Sequence, residues 1–295
     1  MDPAPPLRKE PLASAPEVSL VIPVYNEEEN LPVLDGEIRQ AMETAGRSYE
    51  VLYVDDGSTD GSLEVLRVLA RQDARVRIVR QRRNSGQSAA LDAGFRHARG
   101  GIVVTLDADL QNDPADIPRL LEKIGQFDVV SGVRARRRDS WVRRVSSRIA
   151  NGVRNRVTHE SVTDVGCTLR ACRAEYLRRI PVFDGMHRFL PTLLRMAGAR
   201  VTEVPVNHRP RLHGQPKYGI GNRLWRGLAD LYGVRWMQTR WIDRGLSEEI
   251  DSEEIDAWNT NSSGISGPSS GSSDRPASSP ASSSSGSPPS AGKRA

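Results

Sequence analysis

From Val18 onward, apolar runs rich in β-branched residues alternate with stretches of helical periodicity. VSLVIPV precedes a helical pattern from about Glu28, EVLYVD one from Asp60, VRIVR one from Gly86 and GIVVTLD one from Asp116; DVVSG closes the series. This alternation predicts an α/β domain with a mostly parallel sheet flanked by helices, over residues 18–218. Residues 1–17 are Pro-rich and polar and read as a flexible leader. In residues 219–246, Leu224, Leu228 and Leu231 recur at helical spacing beside Trp225 and Tyr232, with Arg223, Arg226 and Arg235 among them, which predicts an amphipathic helical extension. Residues 247–295 turn acidic and then into Ser/Pro/Gly repeats, too polar to offset chain entropy by burial, so they are expected to be disordered.

Ligands of open parallel sheets bind at the carboxyl ends of the strands. Those ends are polar here: Pro23-Val24-Tyr25-Asn26-Glu27 after the first run, Asp55-Asp56-Gly57-Ser58 after the second, and Asp107-Ala108-Asp109-Leu110-Gln111 after the fourth. Five acidic side chains are thereby expected along one edge. Asp107, Asp109 and Gln111 fall at alternate positions, and an extended backbone would project their oxygens to one side. Hard oxygen ligands suit Mg2+ or Mn2+.

Charge narrows the partners without choosing one. The chain of 295 residues is 37% hydrophobic and carries a formal net charge of +5. Residues 247–295 hold three basic against seven acidic residues, so the part before them has 39 against 30, a net +9. A basic domain attracts nucleic acid, anionic lipid or phosphorylated substrates. No nucleic-acid motif accompanies the charge, so nucleic acid is not an expected partner. Cys167 and Cys172 lack the companions of a zinc set or a disulfide framework and read as ordinary thiols.

Other uses of the acids fit less well. A calcium loop starting at Asp56 would end on Arg67 where the bidentate Glu belongs. A dinucleotide site would need G-x-G-x-x-G where this chain has PVYNEE. A phosphatase with Asp107 as nucleophile would leave the first two strand-end motifs unexplained.

VIPVYNEEENL, VDDGSTDGS, NSGQSAAL and TLDADLQNDP together resemble the family 2 glycosyltransferases of the GT-A (Rossmann-like) fold. DADLQ, RRRDSWVRRVSSRIAN, TDVGCTLRACR and RPRLHGQPKY look like the polyprenyl-phosphate branch. That branch loads dolichol or undecaprenyl phosphate and includes the aminoarabinose-derivative transferases of lipid A modification. The resemblance implies inverting transfer of a sugar from a nucleotide diphosphate sugar, a UDP-sugar in preference with GDP-mannose as the alternative, to a polyprenyl phosphate. It also implies nucleotide-sugar contacts from Pro23, Val24, Tyr25, Glu27, Asp56, Asp107, Ala108 and Asp109, and a metal held by Asp107, Asp109 and Gln111. Arg211 and Lys217 match R-x-x-G-x-S-K, whose cations face phosphates, with Pro216 standing where the Ser is usual. Arg134, at the end of DVVSGVR, is the cation of its Arg-rich stretch best placed to meet a phosphate of donor or acceptor. Asp164 is a candidate base, although a phosphate monoester with a second pKa near ~6 is already nucleophilic and leaves orientation of an arginine as its other role.

The first residues lack the apolar core of a signal peptide, and no run approaches the ~18 apolar residues of a spanning helix. The expectation is a cytoplasmic protein, peripheral at the inner membrane face. It would reach its lipid through the 219–246 helix on an anionic surface or through a partner membrane protein. Two other readings stand beside this one: a transferase of the same fold acting on a soluble, protein or glycan acceptor, and a non-catalytic membrane-bound scaffold.

Overall fold

The computed structural model describes residues 15–134, 152–158, 163–164, 166–210 and 223–242. The chain divides into two units, Met1–Arg244 and Gly245–Ala295, and every described residue lies in the first. Arg211, Pro216 and Lys217, most of the leader, the Arg-rich stretch beyond Arg134 and the acidic and Ser-rich tail lie outside the described residues.

Five strands coincide with the apolar runs: β1 (Val18–Val24), β2 (Tyr49–Asp55), β3 (Val76–Arg80), β4 (Ile102–Thr105) and β5 (Val129–Arg134). Two more, β6 (Arg170–Arg173) and β7 (Val201–Val206), complete a seven-stranded sheet in the order β3-β2-β1-β4-β6-β5-β7. Pairing is parallel except at β6, which runs antiparallel to both β4 and β5. The strands β1, β2, β4 and β5 therefore all end at the same edge.

The helices are α1 (Leu31–Ala45), α2 (Ser62–Gln72), α3 (Gln87–His97), α4 (Ile117–Lys123), α5 (152–158), α6 (Ala174–Leu177), α7 (Leu190–Met196) and α8 (Arg223–Thr239). Both sheet faces are covered, which is why the strands read as nearly unbroken apolar runs. Leu20 and Ile22 of β1 pack with Leu34 and Ile38 of α1 and Leu120 of α4 on one face. Val21 points to the other, among Ala90 of α3, Leu193 of α7 and Leu231 and Val234 of α8. Alternate side chains of one strand thus enter two separate cores.

Local signals set the helix ends. α1 opens on a proline in its first turn and closes on Gly46, in the left-handed region at φ 62°, whose N–H reaches the carbonyls of Met42 and Glu43. α3 sits close against β1 because residue 94 is glycine; a Cβ there would run into Val21 Cγ1.

α8 settles how the predicted amphipathic stretch is used. Leu231 and Val234 are buried in the second core, and Met237 and Trp241 pack against it. Tyr232, Trp236 and Ile242 face outward, 70%, 63% and 80% exposed. Of the leucine pattern, Leu231 packs on the domain, and the outward face at this level belongs to Tyr232 and Trp236. Among the described residues no helix is long and apolar enough to cross a membrane.

Candidate active site

The order of the sheet reverses direction between β1 and β4, since the chain steps outward from β1 through β2 to β3 and then returns to β4 on the other side. A crevice opens beyond the strand ends at such a point. Here it is an open cleft with a cavity volume of about 150 Å3. β1 contributes Pro23 and Val24 and the residues after it Tyr25 and Glu27; Asp56 follows β2, and Asp107, Ala108 and Asp109 follow β4. All eight residues named from the sequence as nucleotide-sugar contacts line this one cleft. Asn84 and Gln87, from the loop before α3 and its first turn, line it as well and were not singled out.

Two of the loops brace each other. Asn26, in the left-handed region at φ 54°, accepts from the Thr59 N–H at 2.8 Å, and its own N–H donates to Ser58 Oγ. The Glu27 N–H donates to Ser62 Oγ at 2.8 Å, and Glu28 Oε2 accepts from the Gly61 N–H at 2.6 Å. Much of YNEEEN and DGSTDGS is therefore spent on holding Tyr25, Glu27 and Asp56 in place.

Of the five acids expected along the edge, four line the cleft. Asp55 is the exception: it is 1% exposed, accepts from the Ser58 N–H and lies 3.9 Å from Arg80. Asp56 is also buried, and its two oxygens accept from the N–H groups of Ser85 and Gly86 at 2.7 and 2.8 Å. Burial raises the Asp56 carboxyl above its ordinary value, the two amide bonds hold it back, and Asp55 adds to the rise. The contact requires Gly57, at φ 70°, because a Cβ there would lie 2.7 Å from the Arg83 carbonyl carbon and 2.8 Å from the Asn84 nitrogen.

The 107–111 stretch departs from the extended backbone assumed for it. It turns, with Leu110 in the left-handed region at φ 60°, and the Gln111 N–H donates to Asp109 Oδ1 at 3.1 Å. Alternation of side chains ends there, and Gln111 is not among the residues lining the cleft, whereas Asp107 and Asp109 are. Among the described residues no group of three or more His, Cys, Asp or Glu gathers as a complete metal cage. Two carboxylates fit Mg2+ or Mn2+ nonetheless, because such ions take one or two protein carboxylates and fill their shell with substrate phosphate oxygens and water.

Farther along the same edge, Arg134 ends β5 and is held by Asp164, which is 1% exposed. Arg134 Nε and Nη2 donate to the two Asp164 oxygens at 2.7 and 2.8 Å, and the N–H groups of Arg134 and Gly166 add bonds of 3.2 and 3.1 Å. A carboxylate so fully engaged is built to orient a guanidinium. Beneath Asp107, Arg170 is fully buried and donates from Nε to Ser131 Oγ at 3.1 Å. Burial lowers its pKa from the ordinary value, offset first by Cys167 and Cys172 and then by Asp107 and Asp164. The two cysteines are buried and unbridged, and burial pushes the Cys172 thiol up to about 12.

A mostly parallel sheet covered by helices on both faces, with paired carboxylates at its switch point, is the α/β arrangement that the GT-A resemblance implies. Structures of that class superpose on it. A mannosyltransferase from Pyrobaculum calidifontis, solved with GDP-Man and Mn2+, aligns with TM-score 0.54 and 22% identity over 79% of this chain and 66% of its own. Glucosyl-3-phosphoglycerate synthase from Mycobacterium tuberculosis, solved with Mn2+, UDP and phosphoglyceric acid, aligns with TM-score 0.58 and 20% identity over 79% and 82%. Residues 19–180 match the glycosyl transferase family 2 model, and the chain belongs to that family. Undecaprenyl-phosphate 4-deoxy-4-formamido-L-arabinose transferases from Edwardsiella ictaluri and Aeromonas hydrophila are 46% and 42% identical to it over 205 residues. Each alignment covers 69% of this chain and 63% of the relative, so the chain spans under two thirds of those proteins' length.

Proposed function

We propose that this protein transfers a glycosyl group from a nucleotide diphosphate sugar, a UDP-sugar by preference, to a polyprenyl phosphate at the cytoplasmic face of a membrane. The observation that carries the reading is the single cleft in which Pro23, Val24, Tyr25, Glu27, Asp56, Asp107, Ala108 and Asp109 meet. The named activity of relatives at 42–46% identity supports the lipid phosphate as acceptor.

In this mechanism Pro23, Val24, Tyr25 and Glu27 receive the base and ribose. Asp56 can only accept hydrogen bonds when ionised, and its remaining lone pairs suit a base N–H. Asp107 and Asp109 would hold Mg2+ or Mn2+, and Gln111 would join them only if the 109–111 turn opened toward the cleft. When bound, the ion offsets the charge that grows on the leaving diphosphate. A phosphate oxygen of the acceptor attacks the anomeric carbon in a single displacement with inversion, and the sugar–diphosphate bond breaks. Arg134, oriented by Asp164, holds the acceptor phosphate, and Arg211 and Lys217 meet the phosphates of donor or acceptor. The attacking oxygen is already ionised near neutral pH, so Asp164 serves by orientation rather than as a base.

The outward face of α8 and the residues just after it support the membrane part. Tyr232, Trp236 and Ile242 are apolar or amphipathic and exposed, and Arg240 beside them is exposed as well. Aromatic side chains with neighbouring cations suit the headgroup layer of an anionic membrane.

The test is a transfer assay with Mn2+ or Mg2+, labelled UDP- and GDP-sugars, and both polyprenyl phosphate and soluble acceptors. Label in the organic phase from a UDP-sugar supports the reading. Transfer from GDP-mannose alone corrects the donor, and transfer only to a soluble acceptor replaces the lipid reading.

A further inference from the structure

The segment Asn84–Ser88, NSGQS, enters none of the steps above, yet it touches three parts of the site. The N–H groups of Ser85 and Gly86 bind the carboxylate of Asp56 on the nucleoside side. Gln87 Nε2 donates to Asp107 Oδ1 at 2.8 Å. Ser88, 4% exposed, accepts from the Gly185 N–H at 3.1 Å and shares a 2.8 Å hydrogen bond with His187 Nδ1. Asp107 is an acceptor when ionised, so the side-chain amide of Gln87 must present its NH2 group there. Gln87 and His187 line a small void beneath Asp107, walled also by Thr105, Thr168 and Arg170.

We propose that Gln87 is a positioning residue for the metal site, fixing the Asp107 carboxylate through its amide N–H. The inference rests on the reading of Asp107 as a metal ligand. A fixed donor on one oxygen of a ligand carboxylate holds the orientation of the whole group, and loss of such an outer contact typically weakens metal binding about 10–100-fold. The backbone makes the placement rigid: residues 85 and 86 are tied to Asp56, residue 88 to the 185–188 turn, and residue 87 lies between two anchored neighbours. The bond to Asp107 is therefore preformed before any substrate arrives.

The experiment measures Mn2+ affinity by electron paramagnetic resonance in the presence of saturating UDP, on wild type, Gln87→Ala and Gln87→Glu, with thermal melts of each. Both variants are expected to bind Mn2+ about 10–100-fold more weakly with unchanged melting temperature. Gln87→Glu keeps the size of the side chain and replaces the donor by an acceptor, so a mere packing role would spare it. UDP affinity without metal should be unaltered in Gln87→Ala; Gln87→Glu adds a charge to the cleft and is read by Mn2+ affinity alone. Wild-type Mn2+ affinity in the variants overturns the inference, as does a loss of metal-free UDP affinity in Gln87→Ala, which would mean that Gln87 acts on the nucleotide directly. Absence of Mn2+ binding by the wild type would overturn the metal reading itself, and this inference with it.

Discussion

Arg134 and Asp164, thirty residues apart, form a two-pronged ion pair at the end of β5, with Nε and Nη2 of the arginine 2.7 and 2.8 Å from the two carboxylate oxygens. The aspartate is 1% exposed and the arginine 20%. Asp164→Asn keeps the shape and loses the charge. Breaking a buried pair costs about 3–5 kcal/mol, less here because Arg134 keeps some water, so a loss of roughly 1–3 kcal/mol is expected in denaturant melts. If Asp164 orients Arg134, KM for the lipid phosphate should rise and the pH–rate profile should run parallel to wild type. A rate that changes its pH dependence would identify Asp164 as a base.

Asp109→Asn and Asp107→Asn should each lower transfer by at least ~100-fold, about 2.7 kcal/mol of barrier, with the fold intact by circular dichroism. Chelator should do the same to the wild type. Rates within about twofold of wild type after all three treatments would rule out the metal mechanism.

Gly57→Ala forces a Cβ against the backbone of Arg83 and Asn84 at a φ of 70° that side chains seldom adopt. Strain of this kind costs of order 1–3 kcal/mol. Because the displaced segment carries the two amides that hold Asp56, KM for the nucleotide sugar should rise together with the fall in melting temperature. A variant with lowered stability and wild-type KM would separate the two.

The two faces of α8 should separate by mutation. Leu231→Ala opens a cavity in the second core and is expected to cost about 2–5 kcal/mol. Tyr232→Ser and Trp236→Ser change exposed positions and should leave stability within about 0.5 kcal/mol, while reducing sedimentation with anionic liposomes. Unchanged sedimentation of the double variant would remove α8 from the membrane-binding account.

The parts of the fold written most plainly in the sequence are those buried on both faces. β1, β2 and β4 are apolar at most positions because alternate side chains meet different cores, whereas β3, VRIVR at the sheet edge, is only partly buried. β6 has the sequence RACR, and a four-residue segment with two arginines carries no strand signal; Arg170 is buried only because Ser131 and nearby anionic or polarisable groups receive it. β7 contains Pro205, which its place at the edge of the sheet tolerates. In the site, the strand-end residues were legible because open sheets bind ligands there. Asn84 and Gln87 lie beyond β3, one strand removed from the cleft, and reach it by a loop path that no spacing rule anticipates; the available signal was the NSGQSAAL motif itself, which points to the segment without saying which of its side chains face the cleft. The turn at Leu110 was hidden because a leucine gives no warning of a left-handed backbone.

The central claim is tested most directly by incubating the purified protein with Mn2+, polyprenyl phosphate in anionic vesicles and a panel of UDP- and GDP-sugars labelled in the sugar, then counting label in the organic phase. The account predicts label in the lipid, released as free sugar by mild acid, and none with Asp109→Asn. Label that stays in the aqueous phase with every UDP- and GDP-sugar, while a soluble acceptor becomes glycosylated, would contradict it.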